Sequence, residues 1–190
     1  QNYELLSKSL RPLPSQWFGL KDVEERFRKR FLDLILNEKV KKTLDLRWQM
    51  ERKIREFLWE KGFYEVETPI LQNLYGGTNA KPFTTHINAL DQEMYLRVAP
   101  ELYLKRLIVG GYEKIFEIAR NFRNEGTDHQ HQPEFTMLEW YIAYADYHIV
   151  MDLAEELTKF LCQNLTGGFK IPIGGKIVDI GKTWPRKTIK

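Results

Sequence analysis

Phe116-Glu-Ile-Ala-Arg-Asn-Phe-Arg-Asn-Glu-Gly126 and Pro133-Glu-Phe-Thr-Met-Leu-Glu-Trp-Tyr-Ile-Ala-Tyr-Ala-Asp-Tyr147 are the stretches whose reading decides the fold. Both alternate, and the polar segment Glu125 to Pro133 between them is unsuited to a core. They predict strands over 113–124 and 134–144, paired as a long antiparallel hairpin. Because side chains alternate across a strand, the second stretch divides into two faces. Phe135, Met137, Glu139 and Tyr141 share one face. Glu134, Thr136, Leu138, Trp140, Ile142 and Tyr144 share the other, which reads as packing. On the preceding strand, Arg123 shares a side with Glu117, Ala119 and Asn121, and Glu125 lies just beyond. Paired in register, the strands make a floor of Arg, two Glu, Tyr and Phe.

Such a floor suits a ligand with a planar ring, an anionic group and a cationic group, as a nucleotide and an amine provide together. The same charges also fit an ordinary ion-pair ladder on a solvated sheet face, and the pattern alone leaves both readings open. Glu101 sits in the first turn of a helix begun by Pro100, where a carboxylate either answers the helix dipole or meets a ligand. His129 and His131 have neither a Cys nor a third ligand beside them, so they read as a solvated loop and no metal site is assigned. Gly76-Gly77 has neither the strand and helix context of a dinucleotide site nor the Lys of a P-loop.

Outward from the hairpin, helix and strand patterns mix. Val23, Phe27, Phe31, Leu34 and Ile35 predict one helix over 22–36 capped by Asp22. A longer helix carries Leu44, Trp48, Ile54, Phe57 and Leu58, and Gly62 supplies its left-handed stop. Strands follow at 63–67, 83–87 and 93–98, then a helix from Pro100 to Gly110, with a loop-rich connection over 75–92. Beyond the hairpin come a helix over 147–165 and two brief strands around Gly174-Gly175. The basic tail from Lys182 to Lys190 shows no evident partner, and the two prolines in Ser9 to Pro14 read as a linker. The fold class is α+β, an antiparallel sheet flanked by helices.

The chain has 190 residues, 43% hydrophobic and 29% charged, the balance of one soluble globular domain. No apolar run approaches the roughly 18 residues that span a bilayer, so no membrane partner is expected. The single cysteine, Cys162, reads as core and allows no internal disulfide, which suits a cytoplasmic setting. Net charge is +3, with a basic first third: residues 1–62 hold 15 basic and 10 acidic groups, residues 63–145 hold 7 and 11. The charges in that first third are interleaved as on a solvated helix.

The two opening stretches resemble motif 2 of the class II lysyl-tRNA synthetases. Gly62-Phe-Tyr-Glu-Val-Glu-Thr-Pro69 after a long helix resembles the family's motif 1. Further similarities are Gly76-Gly77 with Lys81-Pro82-Phe83, Leu96-Arg-Val-Ala-Pro-Glu-Leu-Tyr-Leu-Lys105, and Phe27-Arg-Lys-Arg-Phe-Leu-Asp-Leu34. The resemblance implies a class II aminoacyl-tRNA synthetase catalytic core, incomplete here. Residues 1–21 would be a linker from an anticodon-binding barrel, and 22–190 the N-terminal part of the catalytic domain. Motif 1 covers about 44–69 and motif 2 about 113–144, with no motif 3.

The activity implied is ATP-dependent activation of L-lysine to lysyl-adenylate, then transfer to tRNA(Lys), by a homodimer joined through motif 1. Arg123 would be the catalytic residue, bridging the lysine carboxylate and the α-phosphate of ATP. Glu125, His131, Gln132 and Phe135 would complete the ATP site, with Phe135 stacked on adenine. Gly77 and Glu101 would hold the α-amino group of lysine, and Glu139 and Tyr141 its ε-ammonium. Mg2+ would be held by residues outside this chain. In the loop Thr127-Asp-His-Gln-His-Gln132, bacterial members commonly carry Arg before the second His and Asn after it, where this chain has Gln130 and Gln132. Because motif 3 and the acidic residues that help hold magnesium are missing, the chain is expected to be a fragment of weak or absent activity. A paralogue that lysylates elongation factor P, or a non-catalytic dimerising module, are the alternative expectations.

Overall fold

The computed structural model describes residues 2–13 and 20–189, and the Pro14 end of the expected linker lies outside them. Within it the chain divides into two compact units, residues 1–52 and 53–190, where the length suggested one domain. The division falls inside a long helix.

In the first unit, Asp22 caps α1 (Val23–Arg28) by accepting from the Glu25 N–H at 2.7 Å. The single helix expected over 22–36 is instead two, because Lys29, at φ −114° and ψ 51°, separates α1 from α2 (Arg30–Leu36). The buried Asp33 carboxylate explains the break: it accepts from Arg26 Nε at 2.9 Å and Arg30 Nη1 at 2.7 Å. In a straight helix residues 26 and 33 lie about 10.5 Å apart along the axis, at the limit of what extended Arg and Asp side chains can bridge. The apolar stripe is also not core in this chain, since Val23, Phe27, Phe31 and Ile35 are exposed. α3 (Glu38–Glu60) begins in this unit.

The second unit holds the C-terminal part of α3 and the remaining elements. These are β1 (Tyr64–Glu65), β2 (Leu71–Gln72), β3 (Phe83–Ile87), β4 (Gln92–Leu96), α4 (Glu101–Val109), β5 (Lys114–Phe122), β6 (Glu134–Ile142), α5 (Tyr147–Thr166), β7 (Lys170–Ile173) and β8 (Lys176–Asp179). α3 stops as expected at Gly62, whose φ is +81°. The strand expected over 63–67 shortens to β1, which pairs parallel to β5. The sheets are β1-β5-β6, β2-β4-β3 and β7-β8, so the architecture is α+β with one parallel pairing in an otherwise antiparallel set.

The expected β5–β6 hairpin forms, with Asn121 opposite Phe135, Glu117 opposite Glu139 and Ile115 opposite Tyr141. Its even-numbered face is the core. Phe116, Ile118, Leu138, Trp140 and Ile142 pack with Ile54, Phe57 and Leu58 of α3, Phe63, and Leu153 and Leu157 of α5. Tyr144 departs from this face: it is 98% exposed at φ +58°. The chain must turn there, between the last hairpin bond at Ala143 and the Asp146 cap that accepts from His148 and Ile149. The basic tail does find a partner, because Arg186 binds Asp152 at 2.5 Å and Glu155 at 2.9 Å on α5. Cys162 is only partly buried, where the sequence suggested core.

Candidate active site

The odd-numbered face of the hairpin carries the predicted floor, and α4 packs against both of its strands. The backbone N–H of Arg123 donates to Pro133 O at 2.9 Å, extending the ladder one residue past β5 and fixing the base of the loop. The Arg123 guanidinium lies over the Phe135 ring, 5.0 Å from its centroid, and its Nε donates to Val98 O at 3.4 Å. A cation held against an aromatic face in this way is oriented without being neutralised.

Arg123, Glu125, Gly126, Gln130, His131, Gln132 and Phe135 line one cavity of about 230 Å³. The five residues expected around a nucleotide are thus together. Asp128 organises this loop: its carboxylate accepts from the N–H groups of Gln130 (2.6 Å) and His131 (2.7 Å) and lies 2.9 Å from His131 Nδ1. The His131 bond, aided by those backbone N–H groups, holds the Asp128 carboxyl below its ordinary value. Gln132 Nε2 donates to Asp128 O at 2.9 Å. Glu125 accepts from the Lys81 N–H at 3.2 Å, which ties the loop to the segment after Gly77.

At the other end of the floor, the Tyr141 hydroxyl donates to Glu139 Oε2 at 3.1 Å. Burial raises the Glu139 carboxyl above its ordinary value, and the charges of Glu101 and Glu117 push the same way against the Tyr141 bond and Arg123. Burial and the Glu139 charge also raise Tyr141, which stays a hydroxyl donor throughout the physiological range. Glu101 does not cap its own helix; it binds Lys105 at 2.5 Å. Gly77, at φ +92°, approaches so closely that a β-carbon there would lie 2.8 Å from Glu101 Cβ and 3.2 Å from Ala99 Cβ. All the expected residues therefore fall on or beside one surface.

The ion-pair ladder does not form on this face. Among the described residues, Arg123, Glu125 and Glu139 make no ion pair with one another, and the cross-strand pair of the hairpin, Arg120 with Glu134 at 3.4 Å, is on the opposite face. The pattern of the sequence placed Glu117 on the floor but missed Arg97, which binds it at 2.6 Å from the end of β4. Nothing in the alternation of 93–98 marks Arg97 as inward and partnered. Gly126 and Gln130 also line the cavity.

The hairpin, and the long helix that leads into the parallel strand β1, are the segments that resemble motifs 2 and 1 of the class II synthetases. The profile of tRNA synthetases class II (D, K and N) matches residues 22–190, and the chain is a member of that family. Among curated proteins, the chain is 56% identical to a lysine–tRNA ligase of Pseudomonas fluorescens (strain Pf-5) over 188 residues, 99% of this chain and 38% of that protein. It is 56% identical to the lysine–tRNA ligase of Photobacterium profundum over 97% of this chain and 37% of that protein. For the enzyme of Carboxydothermus hydrogenoformans the figures are 55%, 97% and 38%. The chain thus spans little more than a third of the length of these relatives.

Proposed function

We propose that the protein carrying this chain is a lysine–tRNA ligase, which condenses L-lysine with ATP to lysyl-adenylate and pyrophosphate and transfers the lysyl group to tRNA(Lys). The observation that carries this reading is a single floor with two differently equipped ends, Arg123 standing at the cavity end. One end is a cavity with an aromatic plate and polar loop groups, suited to a nucleotide. The other is the Glu139–Tyr141 pair, a half-buried carboxylate and hydroxyl suited to an ammonium group, whose charge must be paired when desolvated.

In this reading, Arg123 spans the lysine carboxylate and the α-phosphate, aligning nucleophile and phosphorus and meeting the charge that develops between them. The attacking carboxylate needs no general base. Phe135 stacks on adenine, Glu125 and Gln132 sit beside the nucleotide, and His131 faces its outer phosphates. Gly77 and Glu101 receive the α-amino group. The family implies Mg2+ with ATP; the described residues contain no group of three or more His, Cys, Asp or Glu arranged to hold a metal.

Assembly as a homodimer through 44–69 is supported by the exposed Leu46, Trp48, Trp59 and Tyr64. A cytoplasmic location accords with this activity, and no helix among the described residues is long and apolar enough to cross a membrane. The test is lysine-dependent ATP–pyrophosphate exchange, followed by charging of tRNA(Lys) against elongation factor P as acceptor. Exchange with lysine, but not with aspartate or asparagine, and charging of the tRNA are expected. Exchange indifferent to the amino acid would overturn the reading.

A further inference from the structure

Three carboxylates, Glu101, Glu117 and Glu139, bear on the ammonium end of the floor. Glu117 stands directly opposite Glu139 in the β-ladder, where facing β-carbons lie about 4.5–5.5 Å apart. Two ionised carboxylates that close and partly desolvated repel each other, and one of them tends to take a proton. A protonated Glu139 could not pair with an ammonium group.

The structure shows how this conflict is relieved. Glu117 is 4% exposed and both of its oxygens are engaged, Oε1 by Arg97 Nη1 at 2.6 Å and Oε2 by the Thr68 hydroxyl at 2.7 Å. Arg97, 3% exposed, also meets fixed acceptors: Nε donates to Arg120 O at 2.9 Å, and Nη1 reaches Thr68 O and Oγ1, each at 3.0 Å. Its backbone is pinned as well, with its N–H donating to Ile70 O and its carbonyl accepting from the Phe122 N–H, both at 2.9 Å. The guanidinium therefore has one rigid position, against Glu117.

We propose that Arg97 is a positioning residue for the ammonium subsite: it offsets part of the charge of Glu117 and holds it closed, leaving Glu139 as the ionised carboxylate that an alkylammonium group can reach. This rests on the lysine reading above and adds to it a residue that touches no substrate. The groups facing Glu139 are Tyr141 on its own strand, Glu117 and Arg123 from β5 and its end, and Glu101 from α4. Arg97 acts on it through Glu117.

The test is the titration of Glu139, followed by carbon-13 NMR on protein labelled at the glutamate carboxyls, with the Glu139→Gln spectrum as assignment. Glu117→Gln keeps an amide oxygen for Arg97 but leaves its charge uncompensated, so Glu139 should bind its proton about tenfold more weakly. Arg97→Gln should do the opposite, and the Glu117–Glu139 pair should take its first proton about tenfold more tightly. The double variant should return Glu139 to within about threefold of the parent, which a merely structural defect would not do. Should Arg97→Gln fail to fold, Glu117→Gln decides alone. A Glu139 titration unmoved in Glu117→Gln, or moved the same way in both single variants, overturns the proposal. Calorimetric titration of the parent with L-lysine and L-norleucine separates the two claims. Equal binding of both sinks the lysine reading whatever Glu139 does, and selective lysine binding with a flat Glu139 response sinks the Arg97 inference alone.

Discussion

The two faces of the β5–β6 hairpin are built from the same backbone and differ only in which alternate residues they show. The even face, with Phe116, Leu138 and Trp140, is closed by α3 and α5 into one apolar cluster. The odd face mixes buried apolar residues, Ile115 and Ala119, with polar ones; Glu117 is spent on Arg97, while Glu139 and Arg123 have no ionic partner among the described residues. The difference separates stability from chemistry. A side chain that satisfies its neighbours fully contributes to folding, whereas one held in place with bonding capacity left over is prepared for a ligand.

This division of labour can be attacked one face at a time. Phe116 is fully buried, so Phe116→Ala should destabilise the fold by about 3–5 kcal/mol in urea unfolding. A loss no greater than that of any floor variant would erase the distinction between the faces. Arg123→Ala should lower lysine-dependent pyrophosphate exchange by about 10²–10³-fold, the scale of losing one group that stabilises developing charge, and leave the unfolding midpoint nearly in place. Glu139→Gln should weaken lysine binding by about 1.5–3 kcal/mol, as for a hydrogen bond to a charged group, while ATP binding holds. Calorimetry with each ligand separately would show whether the floor has two ends.

Acidity sharpens the same contrast. The Glu139 carboxyl is raised by burial, so its ionised form is lost as pH falls, beginning above the ordinary carboxylate value of 4.5. Lysine affinity should be level at neutral pH, decline on acidification through that window, and lose this part of its slope in Glu139→Gln. The smallest effect belongs to Tyr141→Phe, which removes one neutral donor and should cost lysine binding about 0.5–1.5 kcal/mol.

Much of this was legible in the residues themselves. Period-two alternation in 134–142 fixed both faces of β6, and the loop composition of 125–133 placed the turn. The elements around the hairpin were recognisable from their periods and glycine stops. Contacts between residues far apart in sequence were not. Lys29 breaks a helix because Asp33 recruits arginines from both sides, and no pattern of apolar residues announces that. Arg97 meets Glu117 across 20 positions, and Arg186 meets Asp152 across 34. The apolar spacing of 23–35 read as one helix, but the helix breaks at Lys29 and Val23, Phe27, Phe31 and Ile35 stay exposed, so spacing alone gave neither the break nor the burial.

Gly77 and Gly126 both border the floor, yet they should answer differently to random variation. A β-carbon at Gly126 would meet nothing within 4 Å, whereas at Gly77 it would strike Glu101 and Ala99 while the backbone sits at φ +92°. In a saturation library selected for growth, position 126 should accept many residues and position 77 almost none, with even alanine counter-selected. The sharpest mark that selection leaves on this pocket would then fall on an absent side chain, at a position contributing no charge, no ring and no hydroxyl of its own.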